Sequence, residues 1–240
     1  MSSLSISQKL HIDLERLINN TEPGQRLPTE PDLALQLGVS RATLREAMRT
    51  FEVQGLLRRR QGSGTYVTHP THIIESGLEI LESIQKMANR VGLTVSLGVW
   101  KTEIKSSSQE DRKLFNLNAD NELVQVSRVI LAENRPVAYL IDILPLEVLR
   151  PSELETGFTG SVLDLLLKRG IPDLSVSRTE INAVTASKEL AFSLGIQRRV
   201  PLLCFTADLY TTDGIVIDHS ISYFLPGYFN FHVVRRVGKN

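Results

Sequence analysis

The sequence predicts an α+β protein of two domains: a small helical domain closed by a hairpin, then a larger domain on one mostly antiparallel sheet with helices. Three observations predict it. The 240-residue chain exceeds one typical domain. Its apolar spacing is helical up to Gly55 and becomes strand-like from Thr94 onward. Turn-forming clusters then separate the apolar runs of the second half in the manner of hairpins. The expected division is a first domain over 1–69, a linker and connecting helix over 70–92, and a second domain over 93–240.

Ser7 to Asn20 places Leu10, Leu14, Leu17 and Ile18 on one helical face, and Glu22-Pro23-Gly24 breaks that helix. Thr29 with Asp32 three residues on has the spacing of a capping box, so a second helix starts there and stops at Gly38. Ser40 is a good N-cap for a third helix running to about Gln54, with Leu44, Ala47, Met48 and Phe51 on its apolar face. Arg41, Thr43, Arg45 and Arg49 project from its other faces. Leu56–Arg60 and Thr65–Val67 read as short strands around a Gln61-Gly62-Ser63-Gly64 turn. Two helices joined by a tight turn, followed by a glycine-tipped hairpin, make a winged helix-turn-helix. Its second helix suits the major groove of DNA.

After Thr68–His72, which reads as a linker, Leu78, Leu81, Ile84, Gln85 and Ala88 line one side of a helix that ends near Gly92. Strands are then expected over Thr94–Glu103, Leu123–Leu131, Val137–Leu144, Ser175–Val184, Leu202–Tyr210 and Ile215–Phe224. Helices are expected over Gln109–Phe115, Val162–Lys168 and Lys188–Leu194. Glu133-Asn134-Arg135-Pro136 and Thr212-Asp213-Gly214 read as hairpin connections, which is why the sheet should be mostly antiparallel.

Formal net charge is zero, yet Arg41, Arg45, Arg49, Arg58, Arg59 and Arg60 crowd one stretch that holds only Glu46 and Glu52 against them. A local basic patch is what a small DNA-reading module needs, because phosphate contacts are short-range. Cys204 is the only cysteine and sits in an apolar run. It reads as a buried thiol, unable to form an internal disulfide or a cysteine zinc site. His69 and His72 lack further ligands nearby, so no metal site is expected. No run approaches the about 20 apolar residues of a membrane span, and the start carries no secretory pattern. The expected setting is cytoplasmic.

Gly24-Gln25-Arg26-Leu27-Pro28-Thr29-Glu30, Asp32-Leu33-Ala34 and Gly38-Val39-Ser40-Arg41 resemble the GntR family of bacterial regulators. Thr43-Leu44-Arg45-Glu46-Ala47, Gly55-Leu56 and Gln61-Gly62-Ser63-Gly64-Thr65-Tyr66-Val67 continue the match in register. The resemblance implies that Arg41 and Arg45 contact bases or phosphates, that Thr43 contacts the backbone or a thymine methyl, and that Gln61 and Gly62 seat the wing in the minor groove. The full DNA-contacting set expected is Arg26, Thr29, Ser40, Arg41, Thr43, Arg45, Arg49, Gln61, Gly62, Ser63 and Gly64. For Ser40, capping is the main expected role. Arg58, Arg59 and Arg60 alternate along a strand, so they do not all face the same way. Pro31 stands where the family usually carries a DNA-reading arginine, which removes that contact and implies an operator preference different from that of relatives.

The second half resembles the UTRA effector domain of the HutC branch, whose fold is similar to chorismate lyase. The resemblance rests on Arg128…Pro136, Pro145, Gly160-Ser161-Val162-Leu163, Asp213-Gly214-Ile215-Val216-Ile217-Asp218…Ser220…Tyr223 and Tyr228-Phe229-Asn230-Phe231. It implies a small metabolite held against the sheet by Arg128, Asp142, Ser161, Asp218 and Tyr223. Each has a second reading. For Arg128 the lesser alternative is a pair with Glu103 or Asp142 across the sheet, Ser161 at least equally caps its helix, and Tyr223 alternates with apolar neighbours as a core residue does. His219 and His232 read as ordinary sheet residues. Members that bind phosphorylated sugars often carry a second arginine two residues beyond Arg128, where Ile130 stands here, and an acid where Leu140 stands. Both changes point away from a sugar phosphate, toward a smaller carboxylate or an uncharged metabolite.

A lyase-like fold raises an enzyme as the rival reading. Residues 94–240 offer no nucleophile–base pair, phosphate-binding glycine loop or metal cluster, so no catalytic residue and no cofactor are expected. A purely architectural DNA-binding protein would not need so large a second domain. The sequence therefore predicts a regulator, repressing more readily than activating. It is expected to bind double-stranded DNA at a two-fold operator as a homodimer and to respond to a small-molecule effector.

Overall fold

The computed structural model describes residues 6–53, 55–60, 62–68 and 73–235. The chain divides into two compact units, Met1–Ile73 and Ile74–Asn240.

In the first unit, α1 (Ile6–Asn19), α2 (Glu30–Gln36) and α3 (Arg41–Val53) precede a hairpin of β1 (Leu57–Arg60) and β2 (Gly64–Val67). Leu10, Leu14 and Ile18 of α1 meet Leu33 and Ala34 of α2, Leu44, Met48 and Phe51 of α3, and Leu57 and Val67 of the hairpin in one buried core. The helical spacing that marks these residues in the sequence is thus the spacing of one inward face. Caps set the helix starts: the Thr29 side chain accepts from the Asp32 amide, and Ser40 Oγ accepts from the Thr43 amide at 3.1 Å. The hairpin gains a third rung that the sequence reading missed. Gly24 N donates to Val67 O at 2.8 Å, Val67 N to Gln25 O at 2.9 Å, and Leu27 N to Thr65 O at 2.8 Å. The stretch after the helix-breaking Pro23 therefore bridges to β2 at Arg26 and Tyr66, where these three backbone bonds are made.

The second unit begins with β3 (Ile74–Gly77) and α4 (Ile84–Arg90), followed by β4 (Val95–Ser106), α5 (Gln109–Phe115), β5 (Glu122–Ala132) and β6 (Arg135–Pro145). After α6 (Val162–Arg169) come β7 (Leu174–Thr185), α7 (Lys188–Leu194), β8 (Pro201–Thr211), β9 (Val216–Phe224) and β10 (Phe229–His232). Six strands form one antiparallel sheet in the order β4-β5-β6-β9-β8-β7, as the hairpin signals predict. One face carries Val124, Val126, Leu144 and Leu209 against α6 and the 3-10 turn at Pro151–Leu154. The other carries Leu123 and Ile143 against Phe115 of α5.

The segment expected as linker and connecting helix differs from that reading. β3 pairs in parallel with β10, Ile74 opposite Phe229, and α4 starts only at Ser83, whose side chain accepts from the Lys86 amide. Leu78 and Leu81, which extended the apparent apolar side, are 40% and 48% exposed. They resemble a helical stripe by coincidence of spacing. Residues 74–92 thus belong to the sheet-bearing unit. Gln54, Gln61, His69 and His72 lie outside the described residues.

Candidate functional sites: a winged helix and an ion cluster under a helix start

In the first unit the arginines sort by strand parity and helix face. Arg41, Arg45 and Arg49 are exposed on α3. Arg59 stands opposite Thr65 and on the side of buried Leu57 and Val67, whereas Arg58 stands opposite Tyr66 and Arg60 lies 4.9 Å over the Tyr66 ring. The expected alternation of these three arginines is realised. Arg59, still half-exposed, makes an ion pair with Glu30, and the same carboxylate meets Arg45 Nε at 2.5 Å. Glu30 has no role in the sequence reading: nothing in its spacing reveals one partner on another helix and a second on a strand. Arg49 lies 3.5 Å from Glu46 one turn back. Thr43 Oγ1 is 2.7 Å from Ser40 Oγ, so Ser40 both caps α3 and orients Thr43. At the wing tip, Ser63 Oγ is 2.7 Å from Tyr66 Oη. Gly64 adopts φ +116°, and a Cβ there would come within 2.5 Å of Arg26 Nε. Arg26 therefore lies against the wing backbone at a glycine.

In the second unit the register settles which expected residues share a surface. Arg128 stands opposite Trp100 on β4 and Leu140 on β6, and Leu140 stands opposite Ser222 on β9. Asp142, two residues from Leu140, faces Ser220, and Asp218 lies two further along β9. Side chains alternate along a strand, so Arg128, Asp142 and Asp218 share the α6 face. Tyr223 stands opposite Tyr139 and Cys204 on the reverse face, apart from the other expected effector residues. Asp218 and Tyr223 are five positions apart on an unbroken stretch of β9, an odd step that puts their side chains on opposite faces of the sheet.

Of the two pairings open to Arg128, the one with Asp142 is made, and both residues are buried. Arg128 Nε also donates to Gly160 O, and Nη1 lies 3.5 Å from Val126 O. Ser161 is buried and caps α6, its Oγ accepting from the Asp164 amide at 3.0 Å. Gly160, at φ +99°, brings the loop against Ile130 Cδ1 and Leu97 Cδ1, where a Cβ would sit 3.2 Å and 3.3 Å away. Ile130 is therefore a fully buried contact for this loop. Phe158 lies over Arg128 at 6.0 Å and against Trp100 at 5.4 Å.

Burial first, and then the neighbouring Asp142 carboxylate, push the Asp218 carboxyl well above the usual range, against a smaller opposing pull from Arg128. Its Oδ1 is buried without a hydrogen-bond partner. A protonated Asp218 leaves Arg128 and Asp142 as a neutral pair. Farther along the same face, Phe205 and Phe224 pack on Phe231 at 4.7 Å and 4.9 Å. Between the ion cluster and this aromatic end, Ser220, Ser222 and Ala207 stay partly exposed. On the reverse face burial raises the Cys204 thiol above its ordinary value. His219 Nδ1 lies 2.7 Å from Asp208 there. An open cleft of about 650 Å³ between α5 and the β8–β9 turn contains none of the expected site residues. Among the described residues no group of three or more metal-ligating side chains occurs, and no helix is long and apolar enough to cross a membrane.

A winged helix-turn-helix followed by a sheet domain with a polar cluster under a helix start defines a DNA-binding transcription regulator with a ligand-binding effector domain. Residues 4–67 match the sequence model of the bacterial regulatory proteins of the gntR family, and residues 90–230 match the UTRA domain. The chain belongs to the gntR family of bacterial regulators, in the branch that carries a UTRA domain. It is 28% identical over 233 residues to the HTH-type transcriptional repressor NagR of Bacillus subtilis (strain 168), covering 96% of this chain and 94% of that one. It is 26% identical to the mannosyl-D-glycerate transport/metabolism system repressor MngR of Escherichia coli (strain K12), over 89% and 88% of the two chains. The crystal structure of PhnF from Mycobacterium smegmatis shares its fold with a TM-score of 0.65 at 22% identity, over 95% of this chain and all of that one (100%). NagR and MngR are both repressors by name.

Proposed function

We propose that the protein is a cytoplasmic repressor that binds a two-fold operator as a homodimer and loses operator affinity when a small metabolite binds its second unit. The observation that carries this reading is the set of arginines on α3 and the wing, exposed on a small module whose core is otherwise complete. In this reading Arg41, Thr43, Arg45 and Arg49 enter the major groove, and Arg26 with Gln61, Gly62, Ser63 and Gly64 forms the wing contact. The names of two relatives, both repressors, support the sign. A single winged helix makes few contacts, which is why two copies are proposed.

The effector is placed on the α6 face, between the Arg128–Asp142–Asp218 cluster with Ser161 and the half-open serine strip. Arg128 already has a carboxylate and a carbonyl as partners. An anion would have to displace Asp142 from Arg128, so this reading favours an uncharged, hydrogen-bonding metabolite over a sugar phosphate. Genomic fragment selection with the purified protein at two salt concentrations tests the regulator. A short two-fold motif with affinity falling steeply in salt is expected, and absence of any sequence preference refutes it. For the effector, a thermal-shift screen in which only sugar phosphates stabilise the protein refutes the chemical class.

A further inference from the structure

We propose that Glu30 is a positioning residue that sets operator preference by holding Arg45 of α3 and Arg59 of the wing on one carboxylate. The proposal rests on the reading of α3 and the wing as the DNA-contacting elements. Glu30 is the first residue of α2, between the capping Thr29 and Pro31 in the first turn, so its backbone is fixed by a cap and a proline. Its side chain is 15% exposed, while those of its partners Arg45 and Arg59 are 51% and 47% exposed. One shielded acid thus ties together three elements, α2, α3 and β1, at the point where two half-exposed cations converge.

The chemistry of that arrangement favours one orientation of Arg45. Glu30 meets it at Nε, which leaves the two terminal nitrogens for a bidentate contact with a purine edge. An arginine released from the carboxylate would instead swing to whichever phosphate is nearest, a contact that carries no sequence information. The acid also subtracts one charge from a basic surface, which weakens every complex in which the arginines meet phosphates alone. Among the described residues, both ion-pair partners of Glu30 are arginines, one on α3 and one on β1.

The test compares wild type with Glu30→Gln on the operator recovered by fragment selection and on a shuffled duplex of equal length. Measurements run over a salt series, with thermal melting as the folding control. The expected result is a fall in the operator-to-shuffled affinity ratio of about tenfold. Binding to the shuffled duplex should tighten, and its log–log salt slope should steepen by about one. An equal loss on both duplexes would mean a merely structural role and would overturn the proposal, as would an unchanged ratio. Should Glu30→Gln fail to fold, Glu30→Asp keeps the charge but retracts it by one methylene. A lower ratio with normal melting is then expected, and an unchanged ratio overturns the proposal. In an Arg45→Ala background Glu30→Gln should leave the ratio unmoved, and a further fall there would show that Glu30 does not act through Arg45. A wild-type protein without operator preference is a separate result: it removes the reading of α3 and the wing itself, whatever the variants do.

Discussion

Arg128 shows how burial changes what a substitution measures. It is 4% exposed, paired with Asp142 and bonded to the Gly160 carbonyl, so truncation leaves a buried carboxylate without its cation. Arg128→Ala is expected to lower stability by about 3–5 kcal/mol. The double replacement Arg128→Met with Asp142→Leu should recover most of that loss, because no charge is then stranded. Urea unfolding of the two variants checks this. A double variant as unstable as Arg128→Ala would show that the loop bond to Gly160, and not the ion pair, is what matters. Effector response should therefore be read in the double variant, once its unfolding curve shows that stability has been recovered. Asp218 carries a second prediction with a definite sign. Its carboxyl keeps its proton well above the usual range when folded, whereas the unfolded chain releases it near about pH 4. Between those points the folded state binds more protons, so stability falls as pH rises through that window. Asp218→Asn removes the titration without changing the shape, and its melting temperature should lose this fall and exceed that of wild type near neutrality. Melting curves across pH check it, and parallel profiles for the two proteins would contradict it.

The wing depends on a glycine in a way that only its third rung explains. Gly64 holds φ +116° with Arg26 Nε at 2.5 Å from where a Cβ would stand. Gly64→Ala should cost about 1–3 kcal/mol of local strain and push Arg26 aside. Amide exchange at Leu27, whose N–H bonds Thr65 O at 2.8 Å, should quicken in that variant while amides of α1 stay protected. Uniform quickening would instead mean that the whole unit unfolds together. What was legible in the sequence follows from the range of each interaction. The extents of α5 and α7 are readable because Ser108 and Ser187, their caps, sit immediately before them. Strand parity along β9 was readable too, and applied to Asp218 and Tyr223 it separates their faces. β3 was not readable, because its short run gains strand geometry only by parallel pairing with β10 at the far end of the chain. The same limit hides Glu30: an acid after a cap looks like dipole compensation, and its two arginines arrive only when α2, α3 and the wing pack.

At the scale of the whole molecule the two units must exchange free energy if a metabolite is to move a repressor off DNA. The residues of the two proposed sites fall in different units, so the exchange expected is a coupling between two binding free energies. Coupling of this kind is typically worth about 1–3 kcal/mol, an effect of roughly 5- to 150-fold on affinity. It is also reciprocal. A metabolite found by thermal shift should weaken operator binding by some factor within that range, and saturating operator should weaken metabolite binding by the same factor. Fluorescence anisotropy on labelled operator gives the first factor and calorimetric titration with and without operator gives the second. Equal factors are what linkage within one operator-binding species requires. Unequal factors would mean that the metabolite acts on a species other than the operator-binding form, for instance by changing its oligomeric state. In that case operator affinity would depend on protein concentration more steeply with metabolite than without, and dilution series at fixed operator would separate the two mechanisms.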